Sequence, residues 1–161
     1  MHTFKLALAG ILVTGAIAAS APEASAYTAY VSNEKDNSIT VIDTNKLEVI
    51  KTIKVGQRPR GIILSKDGKW IIVCTSDDNI IQVYDAKTFE YVKSLPSGPD
   101  PELLILHPSG KTLYVANEDD GLVTVVERHT GKALAEIPVG VAPEGMAVSP
   151  DGKIVVNTSE Q

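Results

Sequence analysis

From Tyr27 onward, apolar side chains recur at alternate positions in short runs, and Gly, Pro, Asn or Asp closes each run. An alternation of period two puts successive side chains on opposite sides of an extended chain, so these runs predict half-buried β-strands rather than helices. In the most regular stretch the strands are expected at Glu102 to Leu106, Thr112 to Asn117, Val123 to Glu127 and Ala133 to Pro138.

The strands belong to a repeat. Ser65-Lys66-Asp67-Gly68-Lys69 returns as His107-Pro108-Ser109-Gly110-Lys111 and again as Ser149-Pro150-Asp151-Gly152-Lys153, each time displaced by 42 residues. The same offset relates Gly56, Gly98 and Gly140, the prolines Pro59, Pro101 and Pro143, and the acids Asp43, Asp85 and Glu127. It also relates Tyr30-Val31-Ser32-Asn33 to Ile72-Val73-Cys74-Thr75, to Tyr114-Val115-Ala116-Asn117 and to Val156-Asn157-Thr158-Ser159. Each copy holds four strands, and the glycine of the Asp/Ser-Gly-Lys turn supplies the positive φ that a tight hairpin needs. Four-stranded antiparallel units at a period near 40 residues are the blades of a β-propeller. A stacked β-solenoid is the alternative, with shorter repeats and parallel sheets. The expected fold is therefore all-β, an incomplete propeller ring of three to four blades, with repeat units at about 28–69, 70–111, 112–153 and a partial 154–161. Because the first copy opens on the second strand of a blade and the last stops inside a second strand, the chain is expected to be the N-terminal part of a longer protein, or else to complete a ring by self-association.

The N-terminus has a different composition. A lone Lys5 precedes an apolar run from Leu6 to Ala19, and Ala24-Ser25-Ala26 follows with the small residues of a cleavage site, which predicts a signal peptide over 1–26 and export from the cytoplasm. A membrane-spanning helix needs about 20 apolar residues; this run is shorter, contains Gly10 and Gly15, and is followed by Pro22 and Glu23. Residues 27–161 form one domain. The net charge of −5 and the absence of a basic patch interleaved with aromatics exclude nucleic acid as a partner. Cys74 has no second cysteine to pair with; its place in a predicted strand points to inert packing, against a free thiol or an intermolecular link.

Antiparallel strands alternate in direction, so the loops from strand four to the next strand one share a face with the loops from strand two to strand three. That face collects Arg58, Arg60, Asp100, Glu102 and Glu144 from the first set, and Glu34, Asp36, Asp77, Asp78, Glu118, Asp119 and Asp120 from the second. The opposite face receives the Asp-Gly-Lys turns and the loops around Lys46, Lys87 and His129. Loops that enter strand one lie near the propeller axis, which makes Arg58, Arg60, Asp100, Glu102 and Glu144 the candidate ligand or partner site at a channel mouth. The competing reading is that Arg60, Glu102 and Glu144, which occupy one repeat position, form solvated ion pairs between blades. The acidic loops have the composition of turns and lack EF-hand spacing. His107 and His129 lie in different blades without partners at metal-ligand spacing. No nucleophile elbow or phosphate loop is present, so no catalytic residue, metal or cofactor is expected.

Tyr30-Val31-Ser32-Asn33, Tyr114-Val115-Ala116-Asn117, Val41-Ile42-Asp43, Val83-Tyr84-Asp85 and Ser149-Pro150-Asp151-Gly152-Lys153 together resemble the YVTN β-propeller family over the whole of 27–161. More narrowly, the stretches Val55 to Gly61, Pro99 to Leu103 and Ala142 to Met146 look like the subgroup associated with pyrroloquinoline-quinone-dependent alcohol catabolism. That resemblance implies a periplasmic propeller of about seven blades, without established activity. The expected function is an exported binding or scaffold protein accessory to quinone-dependent alcohol oxidation, with a dehydrogenase, a cytochrome, a transport component or a small molecule as its partner. A lactonase-like hydrolase or a haem-binding propeller domain, with its site at the channel mouth, is the alternative.

Overall fold

The computed structural model describes residues 27–160, so the signal peptide expected over 1–26 lies outside the described residues. The strands are β1 (Thr28–Asn33), β2 (Ser38–Asp43), β3 (Glu48–Lys54), β4 (Pro59–Leu64), β5 (Trp70–Thr75), β6 (Ile80–Asp85), β7 (Tyr91–Pro96), β8 (Pro101–Leu106), β9 (Thr112–Asn117), β10 (Leu122–Glu127), β11 (Ala133–Pro138), β12 (Pro143–Val148) and β13 (Val155–Ser159). They pair antiparallel in sequence order as four sheets, β1-β2-β3, β4-β5-β6-β7, β8-β9-β10-β11 and β12-β13. The second and third are complete four-stranded propeller blades, and the four sheets do not close a ring. Each 42-residue repeat joins the last three strands of one blade to the first strand of the next. Blades therefore begin at Pro59, Pro101 and Pro143 rather than at the repeat boundaries.

Four backbone positions per repeat hold a left-handed conformation, one filled by glycine in every copy, two by glycine in one copy only and one by no glycine at all. Asn37, Asn79 and Gly121 form one set (φ 51°, 56° and 66°), and Arg58, Asp100 and Ala142 form another (φ 51°, 47° and 47°). The turns Ser65 to Lys69, His107 to Lys111 and Ser149 to Lys153 use Gly68, Gly110 and Gly152 at φ 70° to 74°, as the hairpin chemistry requires. The repeated acids cap their own turns. Asp43 Oδ1 accepts from the backbone N–H of Asn45 and Lys46, Asp85 Oδ1 from Lys87 and Thr88, and Glu127 Oε2 from Thr130. Those bonds favour the ionised carboxylate, and Thr130, which donates through both its hydroxyl and its N–H, holds Glu127 down at about 2.

The core lies between blades. Ile39, Val41 and Ile53 of the first blade pack on Ile71, Val73 and Tyr84 of the second. From its other side the second blade presents Ile72, Cys74, Ile81, Val83 and Leu95 to Leu104, Leu113, Val115 and Val126 of the third. β5 is thus covered on both faces, which explains why its sequence is continuously apolar instead of alternating. Cys74 is part of this packing: it is fully buried, and desolvation pushes its thiol well above the ordinary range. The outermost strands, β3, β7 and β11, are largely exposed.

Candidate functional site

The first strands of successive blades are sheet edges that lie side by side, β4 against β8 and β8 against β12, with β1 against β4. Charged residues gather at the ends where these strands begin. In each blade the ladder between strands one and two slips at its start, between Pro59 and Ile62, Pro101 and Leu103, and Pro143 and Gly145. Such a bulge re-aims the side chain it contains, and it contains Arg60, Glu102 and Glu144. Just upstream, the left-handed residues are tied down by the neighbouring loops: Arg58 N–H donates to Asn37 Oδ1 at 2.8 Å, and Asp100 N–H to Asn79 Oδ1 at 2.9 Å. Ala142 shares the conformation without a polar group to aim, so this geometry belongs to the blade and not to one site.

The side chains it presents do differ between blades. Arg58 bridges all three: Nε donates to Glu34 Oε1 at 3.1 Å, Nη1 lies 2.9 Å from both Asp100 oxygens and 3.7 Å from Asp77 Oδ1, and Nη2 is 3.6 Å from Glu102 Oε1. These partners hold its guanidinium charged, with a pKa above its ordinary value, the Asp100 hydrogen bond first among the causes. Arg60 reaches Glu102 Oε2 through Nη2 and Glu34 Oε1 through Nη1 at 3.4 Å. The Arg58 hydrogen bond, followed by the Arg60 charge, lowers the Glu34 carboxyl. Glu102 is only 6% exposed. Burial, with Glu118 alongside, pushes its carboxyl up to about 7 against the pull of Arg60. The strands approach closely here. A Cβ on Gly61 would stand 2.8 Å from Glu102 O and from Leu103 Cα, so only glycine lets β4 and β8 pack at this distance. An open cleft of about 340 Å³ lies above the contact, lined by Ser32, Glu34, Arg60, Gly61 and Glu102.

Of the five residues expected at a channel mouth, Arg58, Arg60, Asp100 and Glu102 therefore come together, whereas Glu144 is exposed and makes no ion pair among the described residues. Ion pairs between neighbouring blades along one repeat position do form, Arg60 with Glu102 and Arg58 with Asp100, but they are partly or wholly buried rather than solvated. Glu102 is buried, and Arg58, from another repeat position, is the larger hub. Glu34, Asp77 and Glu118 join the cluster although their loops have the composition of ordinary turns. The signal for them was the shared face. His107 and His129 lie at the opposite end, where His107 bridges to Gly152 O of the next turn at 3.2 Å.

Four-stranded antiparallel blades packed face to face in this way, with their first strands side by side, define a β-propeller. The family described as "Lactonase, 7-bladed beta-propeller" matches residues 13–89 and 29–150, and the chain belongs to it. Among solved structures it is similar to hydrazine synthase from Kuenenia stuttgartiensis, at 26% identity and a TM-score of 0.76 over 81% of this chain. It also resembles a functionally unknown protein from Desulfotomaculum acetoxidans in fold, at 20% identity and a TM-score of 0.67 over 76% of this chain. The chain spans 38% and 42% of the lengths of these two. Comparison with curated proteins gives no match.

Proposed function

We propose that the protein is an exported propeller that binds a partner or small ligand at its carboxylate-rich mouth, as an accessory to periplasmic quinone-dependent alcohol oxidation. The observation that carries this reading is the network in which Arg58 and Arg60 join acids of three successive blades around a buried carboxyl. Polar groups held at fixed positions beside an open cleft suit recognition. The signal-like N-terminus and the repeat's resemblance to the quinone-associated subgroup support the setting. The test is capture from periplasm. The wild-type protein should retain a quinone-dependent dehydrogenase, its cytochrome or a transport component, and Arg60→Glu should lose it. Failure of the wild type to retain any of these under alcohol-oxidising growth, or equal retention by Arg60→Glu, would sink the proposal.

A hydrolase is the second reading, favoured by the family match and by a buried Glu102 that opens onto the cleft. Turnover of simple lactones, abolished by Glu102→Gln, is the expected outcome under that reading, and activity indifferent to the change would remove it.

A further inference from the structure

One buried oxygen in this cluster lacks a hydrogen bond. Glu102 Oε1 is buried and has no hydrogen-bond partner among the described residues. Arg60 takes the other oxygen, and the Arg58 guanidinium stands 3.6 Å from Oε1, beyond hydrogen-bonding range. Besides these two arginines, more acid faces Glu102: one oxygen each of Asp100, Glu102 and Glu118 lies within 4.8 Å of the others. Ionised carboxylates only accept, so oxygens crowded in this way need a positive species among them.

The backbone builds this arrangement within one blade. Pro101 pairs with Asn117 at the end of the β8–β9 ladder, Glu118 N–H donates to Asp100 O at 2.9 Å just beyond it, and the bulge turns Glu102 toward the pair. The repeat is broken here. The positions of Asp100, Glu102 and Glu118 are held by Arg58, Arg60 and Ser76 one repeat earlier, and by Ala142, Glu144 and Glu160 one repeat later. The second blade thus carries its own fixed cations, whereas the third presents three acids. Arg58 and Arg60 offset only part of the negative charge of Glu34, Asp77, Asp100, Glu102 and Glu118, and a divalent ion offsets more of the remainder than a single proton can.

We propose that Asp100, Glu102 and Glu118 form a site for a divalent cation of the calcium class at the mouth of the third blade. The donor set is all carboxylate oxygen, the chemistry hard cations select, and water completes the coordination on the cleft side. This inference does not depend on the partner or ligand proposed above, because the ion is measured alone.

The protein is stripped with a chelator and titrated with Ca²⁺ by calorimetry, and retained ion is counted by equilibrium dialysis, at a pH about one unit above the Glu102 value of about 7. The expected result is one ion per chain with a dissociation constant of roughly 10⁻⁴–10⁻³ M. Glu118→Gln and Asp100→Asn should each weaken it about tenfold or more, while Asp119→Asn, adjacent but outside the triad, leaves it unchanged. Circular dichroism checks that each variant keeps its strands. No binding by the folded wild type up to about 10 mM, well above that range, would overturn the proposal and leave a shared proton as the species between the acids. Affinity indifferent to both Glu118→Gln and Asp100→Asn would overturn it equally.

Discussion

Asn117 shows how a single side chain can hold two blades together. It is fully buried at the end of β9; its Nδ2 donates to Thr124 Oγ1 at 2.7 Å and to Leu122 O at 3.3 Å, and its Oδ1 accepts from the N–H of Gly98, in the loop that arrives from the preceding blade, at 3.0 Å. Asn33, the same repeat position, makes bonds among the described residues within its own blade, to Ser38 and Thr40. Where the second blade has Thr75 instead, the acceptor for the incoming glycine moves to Gln82, whose Oε1 takes the Gly56 N–H at 2.8 Å. The departure of that copy from the strand motif is therefore compensated one strand away. Replacing Asn117 with Ala strands the partly buried Gly98 N–H, a loss of roughly 1–3 kcal/mol, and Asn33→Ala should lose less than half as much because its site is partly exposed. Urea denaturation of the two variants measures the difference; equal losses would contradict this account.

At the scale of strands, rank within the blade decides what a side chain is worth. β5 and β9 are second strands buried against neighbours, and β7 and β11 are fourth strands open to solvent. Ile72→Ala in β5 removes a fully buried side chain between the second and third blades, and should cost about 2–5 kcal/mol. Val92→Ala in β7, 44% exposed, should stay within about 0.5 kcal/mol. A chemical-denaturation midpoint that moved as far for Val92→Ala as for Ile72→Ala would refute the ranking. This order was already legible in the chain. The strands expected at Glu102 to Leu106 and Val123 to Glu127 form as Pro101–Leu106 and Leu122–Glu127, because alternation and turn chemistry are local signals. The continuous apolar run of β5 instead departs from the half-buried alternation expected of every strand, and it reflects burial on both sides. The mouth was legible only in part. Repeat phasing assigned Arg58, Arg60, Asp100 and Glu102 to one face, but a repeat reports which residues are equivalent, not how close different repeat positions come. The Arg58–Glu34 bridge, the burial of Glu102 and its contact with Glu118 all follow from bulges and left-handed turns. These features shift a side chain by a few ångströms and leave no mark on hydrophobic period.

For the whole molecule, the turn acids and the buried Glu102 give stability opposite dependences on pH. The turn acids Asp43, Asp67, Asp85, Glu127 and Asp151 are stabilised as carboxylates by turn hydrogen bonds, and all have values below their ordinary ones. A lowered folded value means that the unfolded chain takes up protons first, so their contribution is complete above about pH 4 and disappears as acid protonates the folded groups. Glu102 behaves in the reverse sense. Buried among Asp100, Glu118, Arg58 and Arg60, it has a folded value of about 7, above that of an unfolded glutamate near 4.3. The folded state therefore binds the extra proton, and this contribution is complete below about pH 4.3 and is lost as pH rises through about 7. In chelator-treated protein the melting temperature should accordingly peak between about pH 4 and 5 and fall on both sides. Glu102→Gln removes the titrating group from the mouth and leaves the turns untouched, so it should flatten the neutral limb alone. Thr130→Ala takes two hydrogen bonds from the depressed Glu127 carboxylate only if its N–H also shifts; at least its hydroxyl bond is lost, and the acid limb alone should weaken. Melting curves from pH 3 to 8 on the two variants separate the limbs, and a neutral limb that persisted in Glu102→Gln would mean that another group at the mouth carries the proton.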